Sequence, residues 1–375
     1  MRCIHNGIIH TAVDPQPFTG DILMDGGKIV AIGPDLKRDD AEIIDASGLN
    51  VYPGFVEAHC HIGLDVYAAG VAGADFNEKG DPLTPQLSAI DGIDPFDRHL
   101  KMAVEGGVTC ICTGPGSSNV IGGTFTAIKP YGIRVDEMVV KPAVGMKCAF
   151  GENPKRFYPS KISSRMTIAA MMRDILYRTK LYIEKKEKGQ DVYDQKLEAL
   201  VPVLRGELPL KAHVHQANDI FTAIRIAKEF GVKMQLDHVT EGHLIVDELA
   251  KEKDKFMMAV GPSGCSSSKY EFKNVSWDTA AVLANAGCHV CIITDSPVVP
   301  EQNLPIFAGF AMKAGLKEYD ALRAITINAA EHVGIQDRVG SLELGKDADV
   351  VLVEGNPFEL SGRVRQVFIN GNRIV

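Results

Sequence analysis

Apolar and polar positions change rhythm twice along the chain. In the first fifty residues the apolar runs are short. Those at 21–24 and 28–32 flank Asp25-Gly26-Gly27, a spelling that predicts a hairpin. The last thirty-five residues share this texture: runs at 349–353, 367–369 and 373–375 are divided by Gly355-Asn356-Pro357 and Asn370-Gly371. Between the two ends, strand-like runs alternate with helical spacing. A buried strand is predicted at 50–58, a helix at 96–105, and strands at 108–113, 142–150 and 210–213. A helix follows from near Asn218, with Ile220, Ile224, Ala227 and Phe230 on one face. Segments 232–236, 241–250, 256–260, 277–286 and 289–293 continue the alternation. Two further helices, 165–188 and 191–204, interrupt it as an insertion over about 155–208. They read either as an outer flap packed on the barrel or as a lid that takes part in substrate selection.

Strands spaced by helices imply a parallel sheet. About eight such units over roughly 285 residues fit a (β/α)8 TIM barrel better than an open sheet, and no dinucleotide fingerprint is present. The prediction is an α/β chain. Residues 51–337 form the barrel, and 1–50 with 338–375 form a small β-sandwich domain built from both termini.

Composition narrows the function. The chain has 375 residues, 45% apolar and 23% charged, and 40 basic against 48 acidic residues give a net charge of −8. Such usage excludes a disordered or fibrous protein. The acidic balance argues against a nucleic-acid partner. The longest informative uncharged stretch, 106–128, holds six glycines and nine apolar residues, which is too few for a membrane helix. The start, Met1-Arg2-Cys3-Ile4-His5-Asn6-Gly7, lacks the apolar core of a secretory leader. Eight cysteines in so long a chain are too sparse for a disulfide scaffold, so a cytoplasmic location is expected.

The candidate chemistry lies at strand ends. His59-Cys60-His61 closes the strand at 50–58, and residues two apart on a strand share a face. Two neutral imidazoles so placed suit a divalent metal, zinc first. Alone the spelling is weak. However, His213 and His215 end one later strand, His238 ends the next, and Asp295 follows the strand at 289–293. These are the carboxyl ends at which barrel active sites assemble, and they hold five of the eleven histidines. Lys147 lies within an apolar strand, where a buried ammonium is costly. Glu152 follows it in what reads as a loop.

Other signals are blander. Cys288 and Cys291 stand three apart on a strand and so face opposite sides, while Cys110 and Cys112 read as packing. Gly114-Pro115-Gly116-Ser117-Ser118-Asn119 with Gly122-Gly123 reads as an active-site loop without phosphate. Lys155 and Arg156 either grip a substrate carboxylate or are a solvated pair. His243 is either helical packing or a substrate contact. His5, His10, His99, His289 and His332 belong to no constellation and are expected to be structural.

The chain resembles the amidohydrolase superfamily, most nearly its imidazolonepropionase-related group, over almost its whole length. The segments that carry the resemblance are Val51-Tyr52-Pro53-Gly54-Phe55-Val56-Glu57-Ala58-His59-Cys60-His61, His213, His238, Asp295 and Gly340-Ser341-Leu342-Glu343-Leu344-Gly345-Lys346-Asp347-Ala348-Asp349. The resemblance implies a distorted (β/α)8 barrel and a metal-dependent hydrolase of amide-type C–N bonds, in cyclic amides or N-acyl and dipeptide-like substrates. It implies that His59, His61 and Asp295 hold one metal and that His213 and His238 hold a second. His215 is then either a substrate or supporting group, or merely packed. The bridging ligand stays open between Lys147, as its carbamate, and Glu152; if neither coordinates, the site holds one metal. Metal-activated hydroxide would attack, Asp295 would move the proton, and His238 would polarise the carbonyl if it is not a ligand. Two alternatives stand beside this expectation: a deaminase with one metal, and a non-catalytic binding protein on the same barrel. The expected partner is a small-molecule substrate, and a homo-oligomer is compatible with such an enzyme.

Overall fold

A computed structural model describes residues 1–264 and 268–375. Five strands open the chain: β1 (Arg2–Ile9), β2 (Phe18–Asp25), β3 (Lys28–Gly33), β4 (Glu42–Asp45) and β5 (Asn50–Pro53). The barrel strands follow as β6 (Phe55–Cys60), β7 (Val108–Thr113), β8 (Ile121–Ile128), β9 (Val139–Ala149), β10 (Leu210–Val214), β11 (Met234–His238), β12 (Met258–Val260) and β13 (Val290–Ile292). The chain ends with β14 (Val350–Glu354), β15 (Arg363–Ile369) and β16 (Asn372–Arg373).

Both chain ends build one sheet in the order β16-β15-β14-β5-β1-β2-β3, with β4 paired to β1. The predicted hairpin places Asp25 opposite Lys28. The apolar face of the whole sheet, including Ile4, Ile9, Ile22, Met24, Val350, Leu352 and Phe368, forms a core of its own.

The run at 50–58, expected to be one strand, is two. Its first half pairs with β1 and β14 in the terminal sheet, and its second half pairs with β7 in the barrel. The break falls at Gly54, whose N–H donates to Asp349 O at 2.9 Å. The apolar pattern runs unbroken across the junction because both halves are buried. Hydrophobicity alone therefore could not show the change of sheet.

The second sheet, ordered β13-β12-β11-β10-β9-β8-β7-β6, is a nearly closed barrel. It is not wholly parallel. β8 runs antiparallel to both β7 and β9, and Gly122-Gly123, expected in a loop, lies within it. Glycine hides strand propensity, but here it serves a close approach. Thr124 N donates to Leu87 O, and a Cβ on Gly123 (φ +114°) would stand 2.5 Å from that carbonyl. Glu152, expected in a loop, begins the helix Glu152–Phe157.

The two inserted helices run over Arg165–Glu187 and Gln195–Leu204. Ser164 and Asp194 cap them by accepting backbone N–H groups. Their apolar faces (Met172, Ile175, Leu176 against Leu197, Leu200, Val201) join the main core.

The first and last barrel strands are tied through Glu57, which is fully buried on β6. One carboxylate oxygen accepts Thr294 N–H (2.9 Å) and Thr294 Oγ1–H (2.7 Å), and the other accepts His59 N–H (3.0 Å). His61 N–H donates across the same seam to Ser296 O at 2.7 Å. The seam therefore holds the strand ends carrying His59, His61 and Asp295 side by side.

Candidate metal centre

Two groups of ligand-type side chains converge at the carboxyl end of the barrel. His59, His61 and Asp295 form one and His213, His215 and His238 the other; within each, the donor atoms lie within 4.8 Å of one another. All five histidines are at most 6% exposed. The rings of His59 and His238 connect the groups, with centroids 5.0 Å apart.

Hydrogen bonds fix which ring nitrogen faces inward. His61 Nδ1 lies 2.7 Å from Gly114 O and His238 Nδ1 lies 2.8 Å from Gly261 O. A carbonyl can only accept, so each Nδ1 carries a proton, and in the neutral ring Nε2 is the atom left with a lone pair. His59 Nδ1 donates to Asp237 Oδ2 at 2.9 Å, with the same consequence. In His215 the ammonium of Lys269 donates to Nε2 (3.0 Å), which leaves Nδ1–H for Thr240 Oγ1 (2.6 Å).

The resulting contacts are repulsive as they stand. Asp295 Oδ1 lies 3.3 Å from His61 Nε2 and 3.6 Å from His59 Nε2; with neutral rings this is a carboxylate beside two acceptor nitrogens, the second of which also takes a hydrogen bond from Lys147 Nζ at 3.2 Å. His213 Nε2 and His238 Nε2 are buried and have no hydrogen-bond partner among the described residues. Buried acceptors without a donor are costly. A divalent cation between them removes the conflict, so the donor set fits a metal.

Protonation agrees with that fit. Burial, with the nearby Lys147, holds His59 well below the usual histidine range, and burial among neighbouring imidazoles and Lys269 does the same for His213 and His215. Burial takes His238 to about 4. Burial alone would raise Asp295, but the positive charge that His238, His61 and His59 carry when protonated outweighs it and holds the carboxyl well below its usual range. Neutral imidazoles and an ionised carboxylate are the forms that bind metal. The backbone is bent to reach this arrangement: His238 (φ +75°) and Asp295 (φ +54°) both occupy the left-handed region disfavoured for side-chain-bearing residues.

Lys147 lies against His59, fully buried, with Nζ 3.2 Å from His59 Nε2 and 5.2 Å from the Phe125 ring centroid. Its cross-strand neighbour is Lys211, also fully buried. Only Lys211 has a carboxylate in contact, through Nζ to Asp237 Oδ1 at 2.9 Å. Burial lowers Lys147 to about 8, and Lys211 pushes the same way, against Asp237 and Asp295. Burial alone would lower Lys211 too, but Asp237 reverses this and raises it.

Glu152 gives its backbone N–H, not its carboxylate, to this region, and its side chain belongs to neither group. Lys155 is half-buried and Arg156 exposed on the same helix. His243 binds Thr279 Oγ1 through Nδ1 (2.8 Å) in the turn Gly242–Ile245 and belongs to neither group.

Four contributors escaped the sequence reading. Asp237 orients His59 and also binds Lys211 and His332 (Nε2 at 3.1 Å); His332, expected to stand alone, thus belongs to the support of the centre. Glu271, 1% exposed, places Oε2 3.8 Å from His213 Nε2. Lys269 lies on His215 Nε2. The neighbourhood of His238 pointed to Asp237, whereas nothing in the spacing marks Glu271 or Lys269.

The amidohydrolase family model matches residues 182–374. An imidazolonepropionase of Thermoplasma volcanium is 36% identical, over 100% of this chain and 98% of its own length. Amidohydrolase tasK of Hapsidospora irregularis is 27% identical over 94% of this chain, which spans only 40% of tasK's length. The crystal structure of an amidohydrolase from Thermotoga maritima MSB8 superposes with a TM-score of 0.96 at 39% identity, covering 100% of both chains.

Proposed function

The chain belongs to the amidohydrolase family and is a hydrolase of C–N bonds, and from that premise we propose that it opens an amide-type bond in a small molecule at the paired histidine groups. The observation that carries this reading is the facing of Asp295 Oδ1 and the Nε2 lone pairs of His59 and His61 at 3.6 and 3.3 Å. His59, His61 and Asp295 hold one divalent cation, zinc first among candidates, and His213 and His238 hold a second. Lys147 is assigned as the group between them. As a free ammonium it has no carboxylate of its own, and as a carbamate it becomes an anion facing two cation positions. Glu152 is set aside because its side chain lies outside both groups.

A divalent cation supplies a Lewis acid and lowers the pKa of its water from about 15.7 to near 7. The chain's own groups do the rest. Asp295 Oδ2, on the same carboxylate as the oxygen facing His61, takes the proton from the attacking water and returns it to the leaving nitrogen. Asp237 keeps the His59 ring in the tautomer that presents Nε2. His215 has both nitrogens engaged and supports rather than contacts substrate. Lys155 is the basic group assigned to an anionic part of the substrate, while exposed Arg156 and Thr279-bound His243 are peripheral. Cyclic amides head the substrate list, since the 36% identical relative is an imidazolonepropionase.

The test pairs metal analysis with a substrate panel of cyclic imides, N-acyl amino acids and Xaa-Pro dipeptides. Asp295→Asn should keep most of the bound metal and lose turnover. A native chain that takes up no zinc, manganese or iron, or an Asn variant as active as the parent, would refute the reading.

A further inference from the structure

The second histidine group already holds a positive charge. The ammonium of Lys269 lies 3.0 Å from His215 Nε2, 3.2 Å from Glu271 Oε2 and 4.7 Å from the Phe272 ring centroid. Glu271 Oε2 is 3.8 Å from His213 Nε2 and 4.0 Å from His215 Nε2. His238 Nε2, buried and without a hydrogen-bond partner among the described residues, lies in the same group. Four acceptor atoms from three segments of chain thus surround one region, and the cation touching two of them is a side chain of this chain.

The acceptors are fixed and the ammonium is not. Glu271 is held by its other oxygen, which accepts Glu152 N–H (2.6 Å) and lies 4.0 Å from Arg165 Nη2. That oxygen packs so tightly against Gly151 (φ +87°) that a Cβ there would stand 1.9 Å from it. His213, His215, His238 and Glu271 are each at most 3% exposed. Lys269 keeps 17% of its side chain exposed, on a flexible four-carbon stem that can carry the charged end to solvent.

We infer that His213, His215, His238 and Glu271 together form a four-donor cation site, and that Lys269 is its built-in competitor, seated there until a metal displaces it. This rests on the metal reading above but goes further: it adds two donors to that position and a residue that sets its occupancy. Both cations cannot remain, because like charges a few ångströms apart in a buried site repel strongly. A tethered ammonium also competes at a high effective concentration. The chain should therefore fill its first position tightly and its second weakly, with the segment carrying Lys269 deciding between one metal and two.

Chelator-stripped full-length protein titrated with Zn2+ against a chromophoric chelator tests this without reference to turnover. Lys269→Met should tighten the second equivalent at least fivefold and leave the first unchanged. Adding Glu271→Gln to that variant should remove the gain. A gain below fivefold, or one that survives Glu271→Gln, overturns the inference while leaving the metal reading intact. If the parent binds no first equivalent, both fail together. Should Lys269→Met not fold, amine labelling of the parent with mass-spectrometric readout decides. Lys269 should be protected in the stripped protein and labelled once the second equivalent is bound, and unchanged labelling overturns the inference.

Discussion

Lys147→Met isolates the cost of a buried charge. Lys147 and Lys211 face one another across β9 and β10, fully buried, with one contacting carboxylate between them, and Asp237 gives that contact to Lys211. The fall of Lys147 from the ordinary 10.5 to about 8 is worth about 3 kcal/mol, at about 1.4 kcal/mol per tenfold. Below pH 8 folded and unfolded chains both carry the proton, so the metal-free protein bears the whole cost. Between pH 8 and 10.5 the unfolded chain binds more protons, and stability rises with pH until the cost is gone. Methionine has similar length and no charge. Chelator-stripped Lys147→Met, followed by denaturant unfolding, should be more stable than the parent by about 3 kcal/mol at pH 6.5, and the two should converge toward pH 10.5. A variant less stable than the parent at pH 6.5, or a difference flat with pH, would show that the ammonium is accommodated without penalty. The same depression matters for carbamate formation, which needs the free amine. At pH 7.5 roughly a quarter of a group with a pKa of 8 is neutral, against roughly one in a thousand at 10.5.

Other perturbations test the supports of the centre. Asp237→Asn leaves Lys211 without its contacting carboxylate and His59 without an anionic anchor. Unfolding should show a loss on the order of 3–5 kcal/mol, from the uncompensated buried charge. Chelator competition should show first-site zinc affinity down about 10–100-fold; unchanged affinity would remove Asp237 from any orienting role. Gly151→Ala places a Cβ 1.9 Å from Glu271 Oε1 at a backbone φ of +87° and should lower stability by about 1–3 kcal/mol. An alanine variant that melts with the parent would mean that Glu271 is not held there.

Much of this architecture was legible because burial and periodicity coincide. The strands at 108–113 and 210–213, the turn at Asp25-Gly26-Gly27 and the two inserted helices were each marked by an apolar rhythm that the fold uses as written. The passage from β5 to β6 was not, since one apolar run serves two cores. β8 was hidden because its glycines answer to a neighbouring backbone rather than to a strand's side-chain preferences. The proposed metal-ligating set stood out because several imidazoles gather at strand ends, and His59 and His61 obey the two-residue alternation that puts them on one face.

The supports of that set were hidden for a different reason: the chain leaves regular structure where they act. Alternation along β11 sends Asp237 and His238 to opposite sides, yet both reach His59, one by a hydrogen bond and the other by ring contact. The turn to φ +75° at His238 and φ +46° at Val239 swings the second side chain back toward the barrel mouth. Asp295 reaches its partners through a bend of the same kind at φ +54°. Glu271 meets Gly151 across about 120 residues of intervening chain, in a turn with no periodicity, so no spacing rule links them. Regular strands place the proposed ligands, and irregular backbone brings in the groups that decide their charge. Backbone strain of this kind persists only where surrounding contacts hold it. At His238 and Asp295 the holding contacts lie among the proposed ligands themselves, so metal binding and the bent backbone at these strand ends should stabilise one another.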